Sequence, residues 1–229
     1  MSTTGSQRVW PEVAAVVLAH GLSGSARSWD RNQVALAREF EVHAIELLAL
    51  ARPFVLAEAA DHLAAWMAER GPPRASLVGH SMGAAVALDL AARFPERVER
   101  LVLVDAAVRP VPLRRRLGGA VVAGWRSPVS LKARTAADAL KAGPLALWHS
   151  TRQVLALDLT TRASAVQAPT LVVWGERDTL VPLEIGRELT AALPNARLAV
   201  IPGAGHTPMW ERPAAFNDLV LDFLAPLTF

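Results

Sequence analysis

Six short apolar runs recur along the chain, separated by stretches of helical pattern. They are AAVVLA (Ala14 to Ala19), EVHAIEL (Glu41 to Leu47), ASLVG (Ala75 to Gly79), LVLVD (Leu101 to Asp105), TLVVW (Thr170 to Trp174) and RLAVI (Arg197 to Ile201). Most are apolar without alternation, the pattern of strands covered on both faces, as in a parallel sheet. The spacing predicts helices over Ala26 to Phe40, Val55 to Arg70, Met82 to Phe94, Leu183 to Leu193 and Pro213 to Leu224, with Pro95 just beyond the third and Pro213 opening the last. Strand and helix in alternation predict an α/β fold with a doubly wound, mostly parallel sheet. A chain of 229 residues can bury one substantial core, so a single unit is expected.

Residues 108–167 break this rhythm. They contain no convincing strand, carry a Gly118-Gly119 pair, and read as a helical excursion between two strands. The segment holds ten basic residues (Arg109, Arg114, Arg115, Arg116, Arg126, Lys132, Arg134, Lys141, Arg152 and Arg162) against the two acids Asp138 and Asp158. Its surplus of +8 leaves −5 for the rest of a chain whose formal charge is +3. A solvated helical face accounts for this surplus. A surface that attracts anionic substrates or acidic headgroups is the sharper reading.

In open parallel sheets the ligand sits beyond the carboxyl ends of the strands. The chemistry-bearing residues of this sequence fall there: His20-Gly21-Leu22-Ser23 after the first run, Gly79-His80-Ser81-Met82-Gly83 after the third, Gly175-Glu176-Arg177-Asp178 after the fifth, and Gly203-Ala204-Gly205-His206 after the sixth. A serine, an acid, a histidine and a glycine-bearing turn form the inventory for acyl transfer. The GxSxG pattern between a strand and an alanine-rich helix requires a strained, left-handed serine, with glycines where flanking side chains would collide. Ser81 is therefore the candidate nucleophile. The N–H of Met82 lies at a helix N-terminus, where negative charge is favoured, and is one candidate oxyanion donor.

A serine hydroxyl needs a base held by a third group. His206, in a PGAGH loop after the last run, is the candidate base, and Asp178 is the candidate acid that orients it. Asp105 also ends a strand and competes for that role, but the order serine, acid, histidine suits Asp178 better. His20 and His80 are expected to satisfy backbone groups beside the site. His43, His62 and His149 fall in a strand, a helix and the excursion, away from it. The second oxyanion donor should come from the loop after the first strand, from Leu22 or, one residue on, Ser23. The excursion tryptophans Trp125 and Trp148, together with Ser23, are candidate substrate contacts.

The pieces HGLSGSARSW, VGHSMGAAVALDLAARFPERVERLVLVDAA, APTLVVWGERDTLVP and IPGAGHTPMWERP, in that order from about residue 13 to the C-terminus, resemble the α/β-hydrolase superfamily. The resemblance implies a hydrolase core at 1–107 and 168–229 with a small helical cap at 108–167. With some ten residues before the first run, the pair of strands that often opens this fold is expected to be largely missing. Where many members carry DxPGxGxS, this chain reads Glu46-Leu47-Leu48-Ala49-Leu50-Ala51-Arg52-Pro53, with alanines in place of both glycines. Either the loop follows another path, or this wall of the pocket is apolar and more helical.

The expected activity is that of a carboxylesterase-type serine hydrolase on small-molecule esters with an apolar acyl group, its rate rising with pH through roughly 6 to 7 as an ordinary imidazole loses its proton. A lyase, perhydrolase or carbon–carbon bond hydrolase with the same triad, or a hydrolase-like ligand receptor, is the alternative. The chemistry requires no metal and no organic cofactor. Cysteine is absent, which removes disulfides and thiolate chemistry. The small net charge argues against nucleic acid. No run approaches the length of a membrane span, and MSTTGSQRVWPEV has no export pattern, so a cytoplasmic protein without stable membrane insertion is expected. Oligomeric state is not written in the sequence.

Overall fold

The computed structural model describes residues 14–22, 24–50, 55–111 and 129–225. Its strands are β1 (Ala15–Ala19), β2 (Glu41–Ile45), β3 (Ala75–His80), β4 (Val98–Val104), β5 (Thr170–Gly175) and β6 (Ala196–Ile201). They form one parallel sheet in the order β2-β1-β3-β4-β5-β6. The chain runs outward from β1 to β2, then returns to the other side of β1 to lay down β3. The crevice beyond the carboxyl ends of β1 and β3 is thus the topological switch point, where an open α/β sheet binds its ligand.

The helices are α1 (Gln33–Leu36), α2 (Ala59–Glu69), α3 (Met82–Arg93), α4 (Val129–Ala142), α5 (Pro144–Ala156), α6 (Leu183–Ala192), α7 (Pro208–Glu211) and α8 (Pro213–Leu224). Successive strand residues feed two cores. Val17, Ala19, Leu77, Leu101, Leu103, Val172 and Trp174 pack with α2, α3 and α6. Val16, Leu18, Val78, Val102, Val104, Leu171 and Val173 pack with Leu36 of α1 and with Phe216, Val220 and Leu224 of α8. Two buried faces explain why the inner strands are mostly apolar, without alternation. The edge strands β2 and β6 are only partly covered.

Helix α3 is buried from Met82 through Ala91, as its alanine-rich composition requires for close packing on the sheet. It sits between α2 and the 3-10 turn Thr160–Ala165. Its one buried acid, Asp89, is neutralised by Arg93 and Arg162.

The helix expected over Ala26 to Phe40 is broken. A 3-10 turn at Ala26–Trp29 is followed by the single turn α1. Tertiary demands override propensity here. The Trp29 ring is buried against Phe216 at 6.2 Å, and the Asn32 Nδ2 group donates to the Met209 carbonyl (3.0 Å) and to Asn217 Oδ1 (2.7 Å). Between β4 and β5 the described residues include α4, α5 and the 3-10 turn Thr160–Ala165, with irregular backbone at 105–111 and 157–159. Val108, Leu159, Ala163 and Val166, near the ends of that stretch, join the α3-side core. Among the described residues no helix is long and apolar enough to cross a membrane.

Candidate active site

Helix α3 begins immediately after β3, so the turn between them is a single residue, Ser81. Its φ of 52° puts it in the left-handed region. The surrounding backbone leaves no room for side chains on either flank. A Cβ on Gly79 would lie 2.5 Å from the Gly83 carbonyl oxygen, and one on Gly83 would lie 2.3 Å from that of Ala19. Both glycines are therefore compelled by the approach of strand β1 and helix α3. The Ser81 N–H donates to the Val104 carbonyl (2.9 Å), and the Ala107 N–H donates to that of Ser81 (3.2 Å), which ties the elbow to the end of β4.

Opposite the serine, the loops after β5 and β6 are laced together. The Arg177 N–H donates to the Ala204 carbonyl (2.8 Å) and the Gly203 N–H to Glu176 Oε2 (2.8 Å). Gly175 is where they meet: a Cβ there would lie 1.9 Å from the Gly205 carbonyl oxygen. This contact brings Asp178 and His206 together. The His206 Nδ1–H donates to Asp178 Oδ2 at 2.8 Å, which leaves Nε2 to accept from the Ser81 hydroxyl at 3.1 Å. Three residues distant in sequence thus form one unbroken hydrogen-bonded chain.

The Asp178 side chain is fully buried. Its Oδ1 accepts the N–H groups of Leu180 (2.8 Å) and Val181 (3.0 Å). Burial works to raise this carboxyl, but the His206 ring, its hydrogen bond and the Val181 N–H outweigh it, and the net shift is downward. Asp105 behaves oppositely. Burial, and then the charge of Asp178, push it well above the ordinary carboxylate range, and only the Gly175 N–H on its Oδ1 (2.9 Å) works strongly against them.

His20 and His80 serve backbone groups, as the sequence reading expects. His20 Nδ1–H donates to the Gly21 carbonyl (2.8 Å) and its Nε2 accepts the Leu47 N–H (3.0 Å), so it pins the loop after β1 to the residues after β2. Burial lowers its pKa. His80 Nε2–H donates to the carbonyl of His206 (2.7 Å), with the two rings 5.0 Å apart. Burial, reinforced by His206, drives the His80 pKa down to about 3. His43 packs edge-on against Trp66, His62 lies beside Glu58, and His149 lies against Trp148.

Met82 opens α3, and its N–H is one of the donors a helix leaves unpaired at its start. Leu22 sits in the turn after β1, packed on the α3-side core. The neighbouring Gly21 comes close to Ser81, since a Cβ on it would lie 3.3 Å from Ser81 Cβ. Ser23 and Trp125 lie outside the described residues. Trp148 is 51% exposed on α5, with the Arg152 guanidinium 4.9 Å from its ring. The loop after β2 begins with a 3-10 turn, Leu47–Ala49, which buries Leu47 completely; 51–54 lie outside the described residues. Asp105, Asp178 and His206 bring three possible metal-ligand atoms within 4.8 Å of one another. A cation there would have to displace the 2.8 Å hydrogen bond between His206 and Asp178.

Two supports escape the sequence reading. Glu211 braces the histidine loop, accepting from the Gly205 N–H (2.9 Å) on Oε2 and from the Thr207 N–H (3.2 Å) and hydroxyl (2.9 Å) on Oε1. The Thr207-Pro208 pair opening α7 is the local signal for it, a helix start with a carboxylate one turn on. Ser25 donates to the buried Asp138 carboxylate of α4 (2.8 Å), a contact across 113 residues that no local pattern announces.

The sequence profile described as "Alpha/beta hydrolase family" matches residues 16–219. A Burkholderia cepacia protein named 2-hydroxy-6-oxo-6-phenylhexa-2,4-dienoate hydrolase is 32% identical over 194 residues, spanning 68% of this chain and 64% of that relative, less than two thirds of its length. Among solved structures, a hydrolase from Pseudomonas aeruginosa PA01 superposes with a TM-score of 0.81 at 24% identity over 95% of this chain and 92% of its own. A thermophilic esterase from Thermogutta terrifontis gives a TM-score of 0.78 at 25% identity over 92% and 89%.

Proposed function

The chain belongs to the alpha/beta hydrolase family, and from that footing we propose that it is a serine hydrolase cleaving carboxylic esters through an acyl-enzyme on Ser81. The observation that carries this reading is the continuous chain from the Ser81 hydroxyl through both nitrogens of His206 to Asp178. Ser81 Oγ attacks the ester carbonyl carbon as its proton passes to His206 Nε2. The oxyanion accepts hydrogen bonds from the N–H groups of Met82 and Leu22. The tetrahedral adduct collapses, the carbon–oxygen bond to the leaving group breaks, and the alcohol departs with the proton from His206. Water repeats the sequence on the acyl-enzyme, delivering a proton to His206 and then releasing the acid and free Ser81. Asp178 keeps the Nδ1–H tautomer and stabilises the imidazolium.

Residues 108–167 are, in this reading, a small cap over the site, and the Ser25–Asp138 bond is one of its attachments to the core. The apolar Leu22 and Met82 and the alanine-bearing loop after β2 support an apolar acyl pocket. A fluorophosphonate probe should label Ser81 and leave Ser81→Ala unlabelled, and a p-nitrophenyl ester series should then report acyl length. Labelling without turnover of any ester would reject the esterase reading. The B. cepacia relative supports a second one, carbon–carbon bond hydrolysis by the same residues. Loss of the visible absorbance of a 2-hydroxy-6-oxo-dienoate, with p-nitrophenyl esters left intact, would favour it.

A further inference from the structure

Asp105 is a fully buried acid that the triad does not use. It follows β4 directly and holds a left-handed φ of 43°. Its carboxyl reaches the end of β5, where Oδ1 accepts the Gly175 N–H. Among the described residues no N–H or O–H group reaches its Oδ2, which is buried. The carboxyl group nearby is that of Asp178, with one oxygen of each within 4.8 Å of the other and of a His206 ring nitrogen.

Two carboxylates cannot both stay charged in so dry a place, so one must hold a proton. The donor inventory decides which. Asp178 accepts two backbone N–H groups and the His206 Nδ1–H. Asp105 accepts one N–H. The charge belongs where three donors meet it. The other acid then carries the proton on its orphan oxygen, and protonation turns a costly unpaired acceptor into a donor.

We propose that Asp105 is a positioning residue, a neutral carboxyl whose Oδ2–H donates to the Asp178 carboxylate and so fixes the acid that fixes the His206 base. This rests on the triad reading above. The shifts point the same way, Asp105 upward through burial and the charges of Asp178 and Glu211, Asp178 downward. The pair supplies Asp178 with a fourth hydrogen bond that does not come from the substrate side. It also explains why a carboxyl is tolerated at a strained, fully enclosed position.

Carboxyl 13C resonances of aspartate-labelled protein test this without reference to turnover. One aspartate signal should remain in the protonated range at pH 7 and vanish in Asp105→Asn. If every aspartate side chain is ionised at that pH, the proposal is overturned. In the ester assay Asp105→Asn, which tolerates the left-handed backbone and keeps a donor, should retain kcat within about threefold. Asp105→Ala should lose about tenfold to a hundredfold, in kcat rather than KM, with the acid limb of the pH profile displaced to higher pH. An alanine variant with wild-type kcat and profile, in protein whose melting confirms folding, would also overturn it. Should the wild type neither take the fluorophosphonate nor cleave any ester, the triad reading fails, while the carboxyl signal still decides the state of Asp105.

Discussion

Strands β3 and β4 lie side by side, in register from Gly79 and Leu103 to His80 and Val104, and each is followed directly by a residue with positive φ. Ser81 (52°) and Asp105 (43°) are the non-glycine residues with this conformation among the described residues. Each holds its N–H on the next strand over, Ser81 on the Val104 carbonyl and Asp105 on that of Val173. The backbone device is the same and its uses differ. Ser81 is 9% exposed and turns its hydroxyl toward the His206 ring, whereas Asp105 is wholly enclosed and turns its carboxyl toward another acid. Left-handed strain of about 1 to 2 kcal/mol at such a residue survives only where neighbouring structure dictates it. On the proposed function, strain at a strand end serves a reactive group at one position and its support at the next.

Kinetics should separate the two ends widely. Ser81→Ala should lower turnover by about 10^6-fold, the loss typical when a triad nucleophile is removed, and abolish fluorophosphonate labelling. Asp178→Asn should cost about 10^4-fold, because the asparagine favours the wrong imidazole tautomer. Both far exceed the roughly threefold effect expected of Asp105→Asn. If kcat for the two asparagine variants fell equally, the acids would share one role and the contrast between reacting and supporting strand ends would be lost.

Crowding offers the next test, on stability rather than rate. A Cβ on Gly83 meets the Ala19 carbonyl oxygen at 2.3 Å, a backbone atom that cannot rotate away. Gly83→Ala should therefore lower unfolding stability by about 3 kcal/mol, in the range of an overpacked core, read from urea midpoints at constant m. Asp105 is flanked by Val104 and Ala106, both fully buried side chains. No glycine marks its turn. A Gly83→Ala protein of unchanged stability would mean that the elbow's glycines answer to something other than the approach of β1.

This difference also explains what could be read in the sequence. Glycine is compulsory beside Ser81, so the strained turn at Ser81 was legible, and the loops bearing Asp178 and His206 could be found because each follows an apolar strand. The strand locations and the parallel sheet were legible for the same reason, two buried faces leaving runs without alternation. Asp105 was visible as an acid at a strand end, but its partner, Asp178, lies 73 residues away and becomes its neighbour only when β4 and β5 pair. The break in the helix expected over Ala26 to Phe40 was hidden likewise, because Trp29 and Asn32 answer to α8 and to the carbonyl of Met209. Local pattern shows what the backbone demands; contacts across the fold leave no local mark.

The smallest expected effect is also the sharpest for the two strand ends, since their buried titrating groups act on stability with opposite sign. His80, the last residue of β3, has its pKa lowered by burial from 6.5 to about 3. The unfolded chain therefore binds the proton first, and the stability His80 contributes is present above pH 6.5 and lost as the pH falls toward 3. Asp105 is raised well above 3.8, so its contribution is present below 3.8 and lost as the pH rises through its folded value. Where the windows overlap, the two slopes offset each other, each at up to about 1.4 kcal/mol per pH unit. Urea unfolding at pH 7, 6 and 5 should expose them singly. Relative to wild type, His80→Gln should gain stability on acidification, and Asp105→Asn should lose it. Parallel curves for all three proteins would show that neither strand end buries a group whose protonation differs from that of the unfolded chain.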